Sequence, residues 1–316
     1  MVDARLIEEE QMPVALDTLL SEERHRQLAE FNTRRLAPGL PSSDWEDDLH
    51  QEYAYRVMEG HELEALRLAV EPLAAKAIGD SGHFVRWFES LAVLGPGQGH
   101  PLFVWLAEKA NLAQMRWFLT QEAAGEAGFE DLLAYAQVKL PPRAKLECAR
   151  NFWDEMGHGK QGAMHGQMLD NMVRELALQP AIATTVWESL ALANTMVGLA
   201  TTRRYAYHAL GALGVIELTA PGRVTHVAAG MRRLALSGHA RAYFDLHAAL
   251  DVSHSRAWIR EIIRPMVEAD PWCAQALAEG ALMRLTCGAR CFERYFSDLR
   301  CDRQTDSVPA ARHALC

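Results

Sequence analysis

Cysteine is scarce in this chain and badly spaced for a metal ribbon or a disulfide scaffold. The six cysteines (Cys148, Cys273, Cys287, Cys291, Cys301, Cys316) form no Cys-X-X-Cys pair, and five of them follow residue 270, so reduced thiols are expected. Cationic residues are outnumbered: 32 Lys and Arg against 41 Asp and Glu give a net charge of −9. That excludes the basic face of a general nucleic-acid binder. No apolar run approaches the ~18 residues of a membrane-crossing helix. The opening stretch, MVDARLIEEEQMPVALDTLL, carries acids where a secretory leader has a basic start and an apolar block. A cytoplasmic protein with neither nucleic-acid nor membrane partner is expected. Alternating β-branched runs bounded by turns are also missing, which argues against a sheet.

What the chain does have is helical periodicity. ELEALRLAVEPLAAKAI, HPLFVWLAEKANLAQMRWFLTQEAAGEAGFEDLLAYAQ, RAKLECARNFWDEMG and TTVWESLALANTMVGLATTRRYAYHALGALGVIEL all repeat apolar residues every three or four positions. Breaks are expected at 36–47, 94–101 and 219–223, each marked by Pro and Gly, and at 139–145, marked by two prolines. The chain thus reads as an N-terminal helical extension (1–100), a bundle of long antiparallel helices (101–300) and a polar, aperiodic tail (301–316).

The stretch FDLHAALDVSHSRAW (244–258) places His247, Asp251 and His254 within about 60° on one helix face. Phe244 and Trp258 share that face, so it is not a solvated stripe, and its polar groups need partners. A mutual hydrogen-bond network is one solution, which would suit a metal-free helical interaction protein. A metal is the other. Three further segments set acids among apolar neighbours: Glu122 in RWFLTQEAAGE, Glu155 in RNFWDEMGHGKQGAMHGQML and Glu217 in YHALGALGVIELTAP. Glu155 is followed by His158 at +3 and His165 at +10. Both fall within ~60–80° of Glu155 on an ideal helix, so phase leaves the two open.

QEAAGE, ARNFWDEMGHGKQGAMH, ALGVIELTAPGR and HAALDVSH occur in that order, and together they resemble the haem-oxygenase-like non-haem diiron oxidases and oxygenases, the iron-containing redox enzymes. The resemblance covers roughly residues 100 to 300. It implies an all-α, haem-oxygenase-like antiparallel bundle. Its metal ligands would be Glu122, Glu155, His165, Glu217, His247, Asp251 and His254, with His158 the alternative to His165. The EMG context is similar to members with the longer spacing, which favours His165. Two iron ions would be held, with dioxygen as co-substrate, and the mixed N/O donor set also suits manganese. The family's reactions imply N-oxygenation, desaturation or oxidative C–C cleavage of a small amino-acid-like or fatty-acid-like metabolite in specialised biosynthesis. An external electron donor and a homodimer belong to the same expectation. Asp154, Glu188, Tyr207 and Asp245 are candidates to steady the ligands, and Arg203, Arg204 and Arg223 to bind a substrate carboxylate.

Overall fold

A computed structural model describes residues 4–126 and 128–305, with side chains for 20–126 and 128–300. The helical period resolves into α1 (Ala4–Leu36), α2 (Trp45–Ala74), α3 (Ser81–Leu94), α4 (Pro101–Glu108), α5 (Leu112–Gly125), α6 (Phe129–Ala136), α7 (Pro142–Glu155), α8 (His165–Glu175), α9 (Trp187–Thr201), α10 (Ala206–Arg233), α11 (Gly238–Trp258), α12 (Arg264–Ala269) and α13 (Cys273–Thr305). No strand occurs among the described residues. No helix among them is long and apolar enough to cross a membrane. The tail assigned to 301–316 is helical to Thr305, and 306–316 lie outside the described residues.

Local chemistry explains most boundaries. Asn111 closes the start of α5 with a capping box, its side chain accepting from the Gln114 N–H while Gln114 accepts from the Asn111 N–H. Gly128, at φ 72°, turns the chain into α6, so the long periodic stretch 101–137 is three helices rather than one. Pro142 opens α7, where its missing N–H costs nothing.

The break expected at 219–223 does not occur. α10 runs through Pro221 and Gly222, because both flanks are buried: Thr219 and Ala220 before, Val227 and Ala228 after. Packing overrides the local stop. Pro221 lacks the N–H that would bond the Glu217 carbonyl, and Glu217 itself sits mid-helix rather than at a helix end.

α10 is the central element, packed along α4, α11 and α13. Gly211 and Gly280 let α10 and α13 touch: a Cβ on Gly211 would stand 1.9 Å from the Leu277 carbonyl oxygen, and one on Gly280 1.9 Å from that of His208. The N-terminal helices pack into the same body, α1 against α9, α2 against α13 and α9, and α3 against α10 and α12. Leu63, Val70, Phe84 and Phe88 share one core with Leu210 and Leu277. A second core joins α4, α5, α8 and α11 through Leu106, Phe118, Met172 and Phe244. Leu192 of α9 packs against both cores, and it lines a cavity that holds the polar residues described next.

Candidate metal centre

Glu155 ends α7. Beyond it Gly157, His158 and Gly159 all take positive φ (57°, 54° and 78°) and turn the chain sharply. His165 then opens a new helix, so extrapolating one helical phase from Glu155 could not locate it. The turn brings His165 back over Glu155, with its Nδ1 2.6 Å from Glu155 Oε2. His158 is left at the surface, its side chain 64% exposed and its Nε2 donating to Asp154 Oδ1 at 2.6 Å.

Glu155, His165 and His247 bring one donor atom each within 4.8 Å of one another, and so do Glu155, Glu217 and His254. Glu155 belongs to both groups. The rings of His165 and His247 meet edge to face, centroids 4.7 Å apart. Asp251 is buried, lines the same cavity as Glu155, Glu217 and His247, and has its Oδ1 without a hydrogen-bond partner.

Glu122 stands apart from both groups. Its carboxyl accepts from the Tyr295 hydroxyl and faces the charges of Arg223 and Arg284. One turn later on the same chain, Glu126 borders both cavities of the site, beside Glu155.

Two histidines have their tautomer set from outside. His254 Nε2 donates to Asp154 Oδ2 at 3.0 Å, and His247 Nδ1 donates to the Tyr243 carbonyl at 2.8 Å. The second nitrogen of each ring is thereby turned toward the site, in His254 3.4 Å from Glu217 Oε2, the arrangement in which metal-bound histidines are held. Asn151 does the same for a carboxylate, its amide donating to Glu217 Oε1 at 2.7 Å. Of the other residues picked to steady the ligands, Glu188 pairs with Arg294 and Asp245 with Arg232, while Tyr207 is exposed. Arg203 bonds main-chain carbonyls of residues 135–138, and Arg204 pairs with Glu64.

The electrostatics are those of a charge-loaded pocket. Burial, with the Glu217 charge second, pushes the Glu155 carboxyl up to about 9. The same two causes raise Asp251. Burial pushes the His165 and His247 imidazoles down to about 4. For His254 burial acts downward, but Glu217 and Asp154 outweigh it and lift the ring to about 9. Water reaches Glu126 through the cavities, yet surrounding protein and then Glu130 push its carboxyl up to about 7.

The donor set fits iron. Oδ1 of Asp251 is a buried atom without a hydrogen bond, while Nδ1 of His165 and Nδ1 of His254 each face a carboxylate oxygen, of Glu155 at 2.6 Å and of Glu217 at 3.4 Å. Buried polar atoms normally have partners. Three imidazoles and three carboxylates around adjoining sites match what iron or manganese takes. Glu126, Asn151, Tyr243 and Arg284 are the site residues that the sequence reading did not single out. Glu126 and Asn151 carried a signal, each standing one helical turn from a chosen acid, Glu122 and Glu155 respectively.

No curated protein matches the chain. Among solved structures it is similar in fold to a CADD-like protein of unknown function from Nostoc punctiforme, with 18% identity and a TM-score of 0.55. The match covers 69% of this chain and 98% of that one. The family model described as iron-containing redox enzyme matches residues 116–289, a span that contains every residue of the two donor groups. The chain belongs to the iron-containing redox enzyme family, and its fold is the haem-oxygenase-like helical bundle.

Proposed function

We propose that the chain is a non-haem diiron oxidoreductase that uses dioxygen to oxidise a small organic metabolite. Glu155 carries this reading. It is the one residue common to both three-donor groups, and carboxylates from several helices are how bundles hold two cations side by side. Glu155, His165 and His247 would hold one iron, and Glu155, Glu217 and His254 the other, with Asp251 beside them. N-oxygenation, desaturation and oxidative C–C cleavage of an amino-acid-like or fatty-acid-like substrate all suit such a centre.

Iron bound there supplies redox equivalents and open coordination positions to dioxygen. The chain's own residues do the rest. Asp154 and the Tyr243 carbonyl fix the imidazoles of His254 and His247, and Asn151 fixes Glu217. Leu132, Leu192, Met196, Ile216 and Val224 line the cavity against the donors, which keeps bulk water away and gives an apolar substrate its place. Burial first, and then Glu126, raise the Tyr243 phenol far above its ordinary value, so it stays protonated where it lines both cavities.

The metal-free alternative requires the acids and imidazoles to satisfy one another. It leaves the buried Asp251 Oδ1 without a hydrogen bond at a cost of about 1–3 kcal/mol. Anaerobic loading with Fe(II), followed by exposure to oxygen in an electrode cell, tests the proposal. Stoichiometric dioxygen uptake by the iron-loaded protein is expected. No iron retained after desalting, with an unchanged thermal midpoint, would sink it.

A further inference from the structure

We propose that Arg284 anchors the carboxylate of an organic substrate whose apolar body fills the cavity beside the metal ligands. This deepens the function proposed above and rests on it for the substrate's fate, though not for its binding. Arg284 reaches the cavity from α13 and is the one permanent cation lining either cavity among the described residues. Its guanidinium forms no hydrogen bond and no ion pair with any described residue. Arg35, Arg56 and Arg67 are sheltered to a similar degree, and each pairs with a carboxylate: Glu59 for the first two, Glu279 for the third. A half-buried guanidinium keeps its five N–H donors in a fixed fork, and a carboxylate is the group that fits two of them at once.

The surroundings leave room for an anion. Glu122 and Glu126 feel the charge of Arg284, but neither pairs with it. Glu122 is already taken by the Tyr295 hydroxyl and by the charge of Arg223. Arg223 lies with its guanidinium over the Phe292 ring, and its charge and that of Arg284 repel. Arg223 and Arg284 are therefore the positive charges beside a cavity whose acids are Glu126, Glu155, Glu217 and Asp251. Phe129, Leu132, Leu192, Met196, Ile216 and Val224 supply apolar wall, which an inorganic anion would not use. The cavity is narrow, with a volume of about 100 Å³. A carboxylate held at Arg284 directs the remainder of the molecule along that wall, past Glu155, Glu217 and His247.

Fatty acids and apolar α-amino acids share this chemistry, and calorimetric titration of the metal-free protein separates them. Decanoate, leucine and decan-1-ol are titrated into wild type, Arg284→Gln and Arg284→Lys, with matching melting temperatures as the check on folding. At least one carboxylate is expected to bind wild type, to weaken by about 30-fold or more in Arg284→Gln and to recover partly in Arg284→Lys. Binding of decan-1-ol should be the same in wild type and Arg284→Gln. Decanoate alone binding names a fatty acid as the class, and leucine alone names an amino acid. Equal carboxylate affinity in wild type and Arg284→Gln, or no binding of either carboxylate to wild type, would overturn the proposal. Iron stoichiometry is measured separately on the same proteins. Its absence from wild type would strike the function proposed above and leave the anchor standing, whereas its loss only in Arg284→Gln would overturn the anchor.

Discussion

Asp154 Oδ2 accepts a hydrogen bond from His254 Nε2 at 3.0 Å across 100 residues of chain, while its Oδ1 accepts one from His158 at 2.6 Å. One half-buried carboxylate thus ties the positive-φ turn after α7 to a buried imidazole on α11. Replacing Asp154 with Ala should weaken metal binding by about 10–100-fold and lower the melting temperature of the metal-free protein slightly, because Asp154 shares in holding the His254 proton. Co(II) titration read by visible absorption checks this, since the His254 site should lose its spectrum first.

The metal-free and metal-bound proteins should respond to pH in opposite directions. Glu155 and His254 both hold protons up to about 9 when no cation is bound. Their folded values lie above their unfolded ones, so the stability they give the metal-free fold is complete at low pH and falls as pH rises toward 9. His165 and His247, pushed down to about 4, add stability as pH rises from there to about 6.5 and then no more. The metal-free melting temperature should therefore decline between pH 7 and pH 9. Metal binding displaces those protons, so affinity should climb over the same window. Calorimetry in two buffers of different ionisation enthalpy should show protons released per metal.

Glu122 and His165 should separate on substitution. Glu122→Gln keeps the Tyr295 hydrogen bond in reach and touches neither donor group, so full iron stoichiometry is expected. His165→Ala removes a donor from one group only, so one iron should be lost and one retained. Metal analysis after anaerobic desalting reads both.

Gly211 makes a prediction about the scaffold. A methyl group there would overlap the Leu277 carbonyl at 1.9 Å and force α10 and α13 apart. Gly211→Ala should destabilise by about 1–3 kcal/mol or more, measured by urea unfolding. It should also loosen iron binding, because α10 carries Glu217.

The helical class and the acids and histidines of α7, α10 and α11 were legible because residue type and spacing carry them. His247, Asp251 and His254 lie on one helix, and a period of 3.6 is enough to align them. What the sequence could not carry was anything beyond a single helix. The choice between His158 and His165 turned on three consecutive positive-φ residues, which no phase rule describes. Pro221 reads as a stop locally but lies within a helix buried on both flanks. Glu122 and Glu126 are one turn apart in sequence. Only the packing of α5 against α9 and α8 turns the second toward Glu155 and the first toward Tyr295. Arg284 carries no signal at all, since its partner-free state is a property of the assembled cavity.

The central claim is that Glu155 joins two metal sites, and counting irons tests it most directly. Wild type and Glu155→Ala are loaded with Fe(II) without oxygen, desalted and analysed for iron per chain, with circular dichroism to confirm the fold. Two irons in wild type and none in Glu155→Ala are expected. One iron in wild type, or two in Glu155→Ala, would contradict the account.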